Sequence, residues 1–200
     1  MIPFIRDENH GMESGDCLYF IPDKEISMNQ LIDLIMSRHS IREYTGEPVD
    51  EADLNTIVRA GMAAPSAVNV QPWAFVIITD RKKLLTLCDR LPYAKMLDKA
   101  GAAVVVCGVP DKDGQFAEMY WITDCSAATE NILLAAHSMG YGAVWTAVYP
   151  EKDRMKSVRD VCGLPENIIP LNVVPVGVPV NKDTMPIDKF RKENIHWNNW

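Results

Sequence analysis

Two short polar segments carry residue types that could bind a ligand. Residues 38–42 read Arg-His-Ser-Ile-Arg and place two guanidinium groups and a hydroxyl within one short turn. A guanidinium matches the oxygen atoms of a phosphate with two parallel hydrogen bonds. The segment therefore predicts an anion site, and a solvated basic turn at a helix end is the alternative.

The second segment spans residues 65–73 and reads Pro-Ser-Ala-Val-Asn-Val-Gln-Pro-Trp. Ser66, Asn69 and Gln71 offer hydroxyl and carboxamide groups, which donate and accept hydrogen bonds as the polar edge of a flat heterocycle requires. A polar loop held by its own turn hydrogen bonds is the alternative. Together the two segments predict a phosphorylated ring cofactor.

A third segment, Gly-Tyr-Gly-Ala-Val-Trp-Thr-Ala-Val-Tyr at residues 140–149, is an apolar strand flanked by glycines. Trp145 and Thr146 could face a cofactor there, or they could pack in the core. The sequence has no Gly-x-Gly-x-x-Gly after a strand, no P-loop and no Gly-x-Ser-x-Gly. The common nucleotide-binding and hydrolase motifs are therefore disfavoured.

Composition narrows the class of protein. The chain has 200 residues, 48% of them hydrophobic, which suits one core. Its formal net charge is -7, and no basic stripe is visible, so we expect no nucleic-acid partner. We also expect no membrane partner, because no run of eighteen apolar residues occurs.

Cysteine usage and the first residues bear on the compartment. The five cysteines are widely spaced and odd in number, and no Cys-x-x-Cys pair occurs. This pattern disfavours a disulfide framework or a metal site. The first residues lack a basic region followed by an apolar one, unlike a secretory signal. We therefore expect a cytoplasmic protein without bound metal.

The periodicity of apolar residues predicts one layered domain of helices and a sheet at residues 27–200, preceded by an N-terminal extension at residues 1–26. The predicted helices are 27–38, 50–63, one capped by Asp80, a short piece at 93–99, 116–139 and 153–162. The predicted strands are 73–79, 102–108, 143–148 and 172–178. Residues 38–42 then follow a helix C-terminus, whose dipole repels anions, so side chains must hold any phosphate.

The order of these segments resembles the FMN-dependent nitroreductase family. The matching features are Arg-x-Ser-x-Arg after the first helix, Gly-Glu-Pro-Val at 46–49, Ala-Pro-Ser-x-x-Asn-x-Gln-Pro-Trp leading into a strand, Asp-Cys-Ser-Ala-Ala-Thr-Glu-Asn at 124–131, and Gly-Tyr-Gly-Ala-Val-Trp. The resemblance covers about residues 28–200. It implies an α+β fold with a central mixed β-sheet flanked by helices. It also implies a homodimer with an extended C-terminal arm, in which both chains build each of two FMN sites.

The resemblance also implies roles for single residues. Phosphate, ribityl and pyrimidine contacts would come from Arg38, His39, Ser40 and Arg42. The isoalloxazine would meet Pro65, Ser66, Asn69 and Gln71, some of them from the partner, and would lie along Trp145, Thr146 and Ala147, with backbone amides near its reactive nitrogen.

A further phosphate contact would come from Lys182, Lys189 or Arg191, and we favour Arg191. His39 stands where the family often has Arg, and Val68 stands where it commonly has Gly. No side-chain acid or base is required, so no catalytic residue is assigned. Trp197 and Trp200 in the tail need burial, either on another subunit or against their own chain.

The implied activity is an NAD(P)H oxidoreductase that passes a hydride through FMN to a nitroaromatic, a quinone or a similar small acceptor by a ping-pong mechanism. Two alternatives stay open. One is a specialised flavin enzyme of the same fold, such as a reductive dehalogenase, a ring or peptide oxidase, or a flavin destructase. The other is a flavin-binding protein without turnover.

Overall fold

The computed structural model describes residues 28–181 and 187–200. The predicted N-terminal extension, the predicted helix cap at Ser27 and the candidate Lys182 lie outside these residues. The helices are α1 (Met28–Ser37), α2 (Glu51–Met62), α3 (Arg81–Arg90), α4 (Gly114–Ser138) and α5 (Lys152–Cys162). The strands are β1 (Trp73–Ile78), β2 (Ala102–Gly108), β3 (Gly142–Ala143), β4 (Thr146–Ala147) and β5 (Ile169–Gly177).

The strands form one sheet in the order β1-β2-β5-β3, with β4 also paired to β5. The α+β class is confirmed, but every strand pair in the described chain is antiparallel, where we expected a mixed sheet. The first connection explains the difference. Ile78 at the end of β1 lies opposite Ala103 near the start of β2. The connection between them, α3 and a 3-10 turn at Lys95–Asp98 that packs on α3, therefore begins and ends at the same end of the sheet.

The single strand predicted at 143–148 is instead two short strands, β3 and β4, in one register. Ala143 pairs with Val176 and Thr146 pairs with Val173, which places Val144 opposite Pro175. Proline has no backbone N–H to give to a ladder, so its presence in β5 interrupts the pairing at this point.

Helices cover both faces of the sheet. One apolar cluster contains buried residues of α2 and α4, and the other contains buried residues of α3 and α5. The predicted inward residues of α2, Leu54, Ile57, Val58 and Gly61, are all buried. A side chain at Gly61 would begin only 2.8 Å from Cγ1 of Ile132, so α2 approaches α4 closely at this point.

Asp50 and Asp80 are predicted to begin helices, and Gly140 and Gly163 are predicted to end them; Gly140 follows the end of α4 with a left-handed φ of 82°. Asp80 accepts hydrogen bonds from the amides of Lys82 and Lys83 at the start of α3, and Gly163 ends α5 with a left-handed φ of 68°. Asp50 precedes α2 as predicted, but its side chain makes no capping hydrogen bond. None of the helices in residues 28–181 and 187–200 is long and apolar enough to cross a membrane.

The apolar stripe of α1 does not reach the core of its own chain. The spacing of Met28, Leu31, Leu34 and Ile35 predicts this stripe. Leu31 and Ile35 are nevertheless exposed, together with Ile32 and Met36. Four neighbouring large apolar side chains on one helix are unusual on a free surface and indicate a protein contact.

Candidate functional site

Residues 38–42 follow the last turn of α1, as predicted, and are fixed to strand β3. The Ile41 amide donates to the Ala143 carbonyl at 3.1 Å. The Ile41 side chain fills the space beside Gly142, where a Cβ would lie 2.5 Å from Cγ2 of Ile41. The buried Tyr44 hydroxyl donates to the Ile41 carbonyl at 2.7 Å. These contacts hold the neighbouring Arg42 at a defined place on the sheet edge.

Arg42 lies where two adjacent clefts meet. The larger cleft, of about 490 Å³, is lined by Arg42, Pro92, Tyr93, Lys95, Met96 and residues 144–147. The smaller cleft, of about 270 Å³, is lined by His39, Ser40, Ile41, Arg42, Glu43 and Asn181. Hence Arg42 shares one cleft with Trp145, Thr146 and Ala147 and the other with His39 and Ser40, so two separate predicted segments meet at Arg42.

Sequence reasoning missed Tyr93, Lys95 and Met96, which line the larger cleft. The Lys95 ammonium donates to the Cys88 carbonyl at 2.7 Å and to the Asp89 carbonyl at 3.2 Å, and Lys95 lines the same cleft as Arg42. The Arg154 guanidinium lies 5.1 Å from the centre of the Tyr93 ring, a cation–π distance. No motif in the sequence around Lys95 marks it as a site residue. Lys95 comes to lie beside β4 only because the connection between β1 and β2 packs there.

Strand β4 presents backbone groups to this cleft. The Val148 amide donates to the Leu171 carbonyl of β5 at 3.1 Å, and backbone groups of neighbouring residues in a strand point to opposite sides. The N–H and C=O of Ala147 therefore point away from β5, and Arg154 approaches that carbonyl at 3.4 Å. The Thr146 side chain is buried and donates to the Val173 carbonyl. The polar groups that β4 turns outward are therefore the backbone groups of Ala147.

Arg38 and His39 make contacts within the chain. The Arg38 Nε lies 3.1 Å from Oε1 of Glu130 on α4. The Nδ1 of His39 lies 2.9 Å from the Ser37 carbonyl, and Nε2 of His137 lies 2.9 Å from the Ser37 hydroxyl. Partial burial lowers the pKa of His137, and the nearby charges of His39 and Arg38 lower it further by smaller amounts. The cation of Arg38 is thus partly balanced, whereas Arg42 is exposed.

Residues 65–71 form a tight loop with its own hydrogen bonds. The Ser66 hydroxyl accepts from the Gln71 amide at 2.9 Å, and the Asn69 carboxamide oxygen accepts from the Gln71 side chain at 3.1 Å. The backbone is left-handed at Val68, Asn69 and Gln71, with φ values of 43°, 60° and 55°. Such values are uncommon for residues other than glycine, above all for a β-branched residue.

The loop and the Arg42 cleft lie apart within one chain. Residues 65–71 line neither of the clefts that contain Arg42. The loop leads into β1 and packs on α4, whereas β4 lies beyond β2 and β5. Three strand spacings of about 4.8 Å separate β1 from β4 by roughly 14 Å. The two groups of predicted site residues therefore do not meet within one chain.

The C-terminal tail makes few contacts with its own chain. Residues 187–200 are all exposed, Trp197 and Trp200 included. The Arg191 guanidinium donates to the neighbouring Phe190 carbonyl at 2.8 Å and lines neither Arg42 cleft. The choice among Lys182, Lys189 and Arg191 stays a prediction. In the described ranges, no three His, Cys, Asp or Glu side chains group as metal ligands would.

Known proteins share both the sequence and the fold. The sequence model of the Nitroreductase family matches residues 35–104 and 85–178 in two overlapping segments. A protein of Archaeoglobus fulgidus, provisionally named an NADH dehydrogenase/NAD(P)H nitroreductase, is 42% identical over 175 residues, which are 86% of this chain and 100% of that protein.

Two solved structures superpose on the chain over most of its length. A Parabacteroides distasonis protein with the same provisional name is 48% identical, with a TM-score of 0.81, over 86% of this chain and 99% of that one. An FMN-dependent nitroreductase of Clostridium difficile is 25% identical, with a TM-score of 0.77, over 84% and 99%. The family match, the identity and the shared fold agree with one another. The chain belongs to the nitroreductase family.

Proposed function

We propose that this protein is an FMN-dependent NAD(P)H oxidoreductase that works as a homodimer and reduces small electron-poor acceptors such as nitroaromatics or quinones. When bound, FMN would supply the hydride chemistry that no side chain here provides. One observation carries the proposal: Arg42, Lys95 and the outward backbone of β4 line one cleft of about 490 Å³. Cofactor clefts are commonly about 300–1,000 Å³.

The polar groups of this cleft fit a phosphorylated flavin. Arg42 continues into the smaller cleft beside Ser40 and His39, so a phosphate there would meet a guanidinium and a hydroxyl. No helix N-terminus is needed, since the segment follows the C-terminus of α1. The ammonium of Lys95 and the guanidinium of Arg42 would oppose negative charge that develops on the pyrimidine edge during reduction.

The apolar side of the cleft fits the flat ring. Trp145 and Met96 supply apolar surface, and the Ala147 N–H points outward from the edge strand, where a ring nitrogen could accept its hydrogen bond. These residues would bind and orient the ring and exclude water from one of its faces. The exposed face would receive first the nicotinamide and then the acceptor, and this shared use of one place predicts ping-pong kinetics.

Three features of the single chain support the homodimer. Ser66, Asn69 and Gln71 lie away from the Arg42 cleft, and a second copy would bring them to it. The four apolar side chains of α1 are exposed. The tail with Trp197 and Trp200 does not fold back on its own core, which favours the arm on a partner subunit.

We also propose the cytoplasm as the location, because a reducing compartment keeps cysteines free. Cys88, Cys107, Cys125 and Cys162 are all free thiols in the described chain. Burial raises the pKa of Cys107 and of Cys125 to about 12, which makes both thiols unreactive.

An absorbance spectrum of the purified protein tests the cofactor first. We expect a flavin spectrum with one FMN per chain, bleached under anaerobic conditions by NADH or NADPH and restored by a nitroaromatic or a quinone. Initial rates at several fixed acceptor concentrations should give parallel double-reciprocal lines. A protein that binds no flavin would refute the proposal, and intersecting lines would refute the ping-pong order alone. Bleaching that only one particular acceptor reverses would favour a specialised enzyme.

A further inference from the structure

Asp124 is a buried carboxylate in α4 that holds the 65–71 loop. Its side chain is 7% exposed, and its Oδ2 accepts a hydrogen bond from the Ala67 amide at 3.2 Å. A charged group in this position is unfavourable unless hydrogen bonds compensate for the lost water. The carboxylate thus ties the start of the loop to the longest helix of the chain.

The loop needs such ties to keep its shape. Val68, Asn69 and Gln71 have left-handed backbones, each of which persists only where surrounding contacts enforce it. Asp124 holds the start of the loop through its hydrogen bond from the Ala67 amide. The Lys112 ammonium holds the end of the loop by donating to the Gln71 carbonyl at 2.7 Å. The residues that these two contacts enclose include Asn69.

We propose that Asp124 is a positioning residue for cofactor binding. By holding Ala67, it orients Ser66, Asn69 and Gln71 toward the flavin of the partner subunit, and it does not touch the cofactor itself. This inference rests on the proposed function. It adds that the helix facing the loop, and not only the loop, determines flavin affinity.

Three substitutions separate the hydrogen bond from the charge and the volume. Asp124→Asn keeps an acceptor oxygen, so FMN affinity should stay within about threefold of the wild type. A threefold change corresponds to less than about 1 kcal/mol. Asp124→Leu keeps the branching and the number of heavy atoms but removes the acceptor, and FMN affinity should fall by about tenfold or more. Ala67→Pro removes the donor and leaves Asp124 unchanged. Ser66 already has the extended backbone that a following proline requires, so this variant also tests the contact if Asp124→Leu does not fold.

A mixed dimer distinguishes a positioning role from a general loss of stability. One chain carries Arg42→Ala and the other Asp124→Leu, or Ala67→Pro, with two different affinity tags. If the loop serves the partner's flavin, both lesions fall in one site and the other site is intact. We expect one FMN bound with wild-type affinity per mixed dimer, whereas each mutant homodimer binds both weakly.

The outcomes separate this inference from the proposed function. A wild-type protein without FMN affinity would overturn both. Wild-type FMN affinity in Asp124→Leu and in Ala67→Pro would overturn the role of Asp124 and leave the proposed function standing. Two weakened sites in every mixed dimer would also overturn the inference, because they would mean that the lesion acts within its own chain or on the whole fold.

Discussion

Ile41 occupies the space that a side chain at position 142 would need. An ideal Cβ on Gly142 would lie 2.5 Å from Cγ2 and 2.7 Å from Cβ of Ile41. Ile41 cannot withdraw easily, since its amide and its carbonyl are both hydrogen-bonded, to Ala143 and to Tyr44. The glycine therefore sets how closely the segment that carries Arg42 approaches the sheet.

We expect Gly142→Ala to lower the free energy of unfolding by about 1–3 kcal/mol, as overpacking commonly does. It should also weaken FMN binding, because Arg42 moves with Ile41. Chemical denaturation and a flavin titration measure the two effects. The double variant Gly142→Ala, Ile41→Ala should recover part of the loss. A double-mutant cycle without coupling would contradict the packing account.

Arg42→Ala should weaken FMN binding by about ten- to a hundredfold, since a hydrogen bond to a charged group contributes about 1.5–3 kcal/mol. Arg90→Ala is the matched control, because Arg90 is another exposed arginine, near Asp160 at 3.9 Å, and should leave affinity unchanged. The same titration on Arg38→Ala tests the role predicted for Arg38. Affinity retained in that variant would assign Arg38 to its contact with Glu130 alone.

Val68→Gly should stabilise the protein by up to about 1 kcal/mol. A left-handed backbone costs a residue other than glycine about 1–2 kcal/mol. Glycine removes this cost, but its extra freedom in the unfolded chain offsets about 0.4–1 kcal/mol of the gain. Thermal unfolding measures the change, which corresponds to a rise of about 2–4 °C per kcal/mol. Ala67→Gly, without a left-handed backbone, should lower stability instead.

His137 should make the fold less stable as the pH falls below about 6.5. Its pKa is lowered in the folded chain from 6.5, so the unfolded chain binds more protons between the lowered value and 6.5. Stability therefore rises with pH through this window and is fully present above it. We expect His137→Gln to show a shallower slope than the wild type in denaturation measured from pH 5 to pH 7.5. Equal slopes would contradict this assignment.

The sequence by itself determined the local elements. The spacing of Leu54, Ile57 and Val58 predicts a buried helix face, and each of these residues is buried. Asp80 and Gly163 mark helix ends through hydrogen bonds and backbone preferences that involve only their neighbours. Local patterns were therefore sufficient wherever the cause lies within a few residues. The order of the polar segments along the chain then indicated the nitroreductase family.

Only the tertiary structure decided which groups share a cleft. Lys95 carries no motif, yet the return of the chain between β1 and β2 places it beside Arg42 and β4. Pro175 divides a predicted strand because it lies opposite Val144, some thirty residues away in sequence. Likewise, Asp124 meets Ala67 through the packing of the loop on α4. These contacts depend on strand register and on packing between residues far apart in sequence. The local pattern of residues predicts neither the register nor the packing.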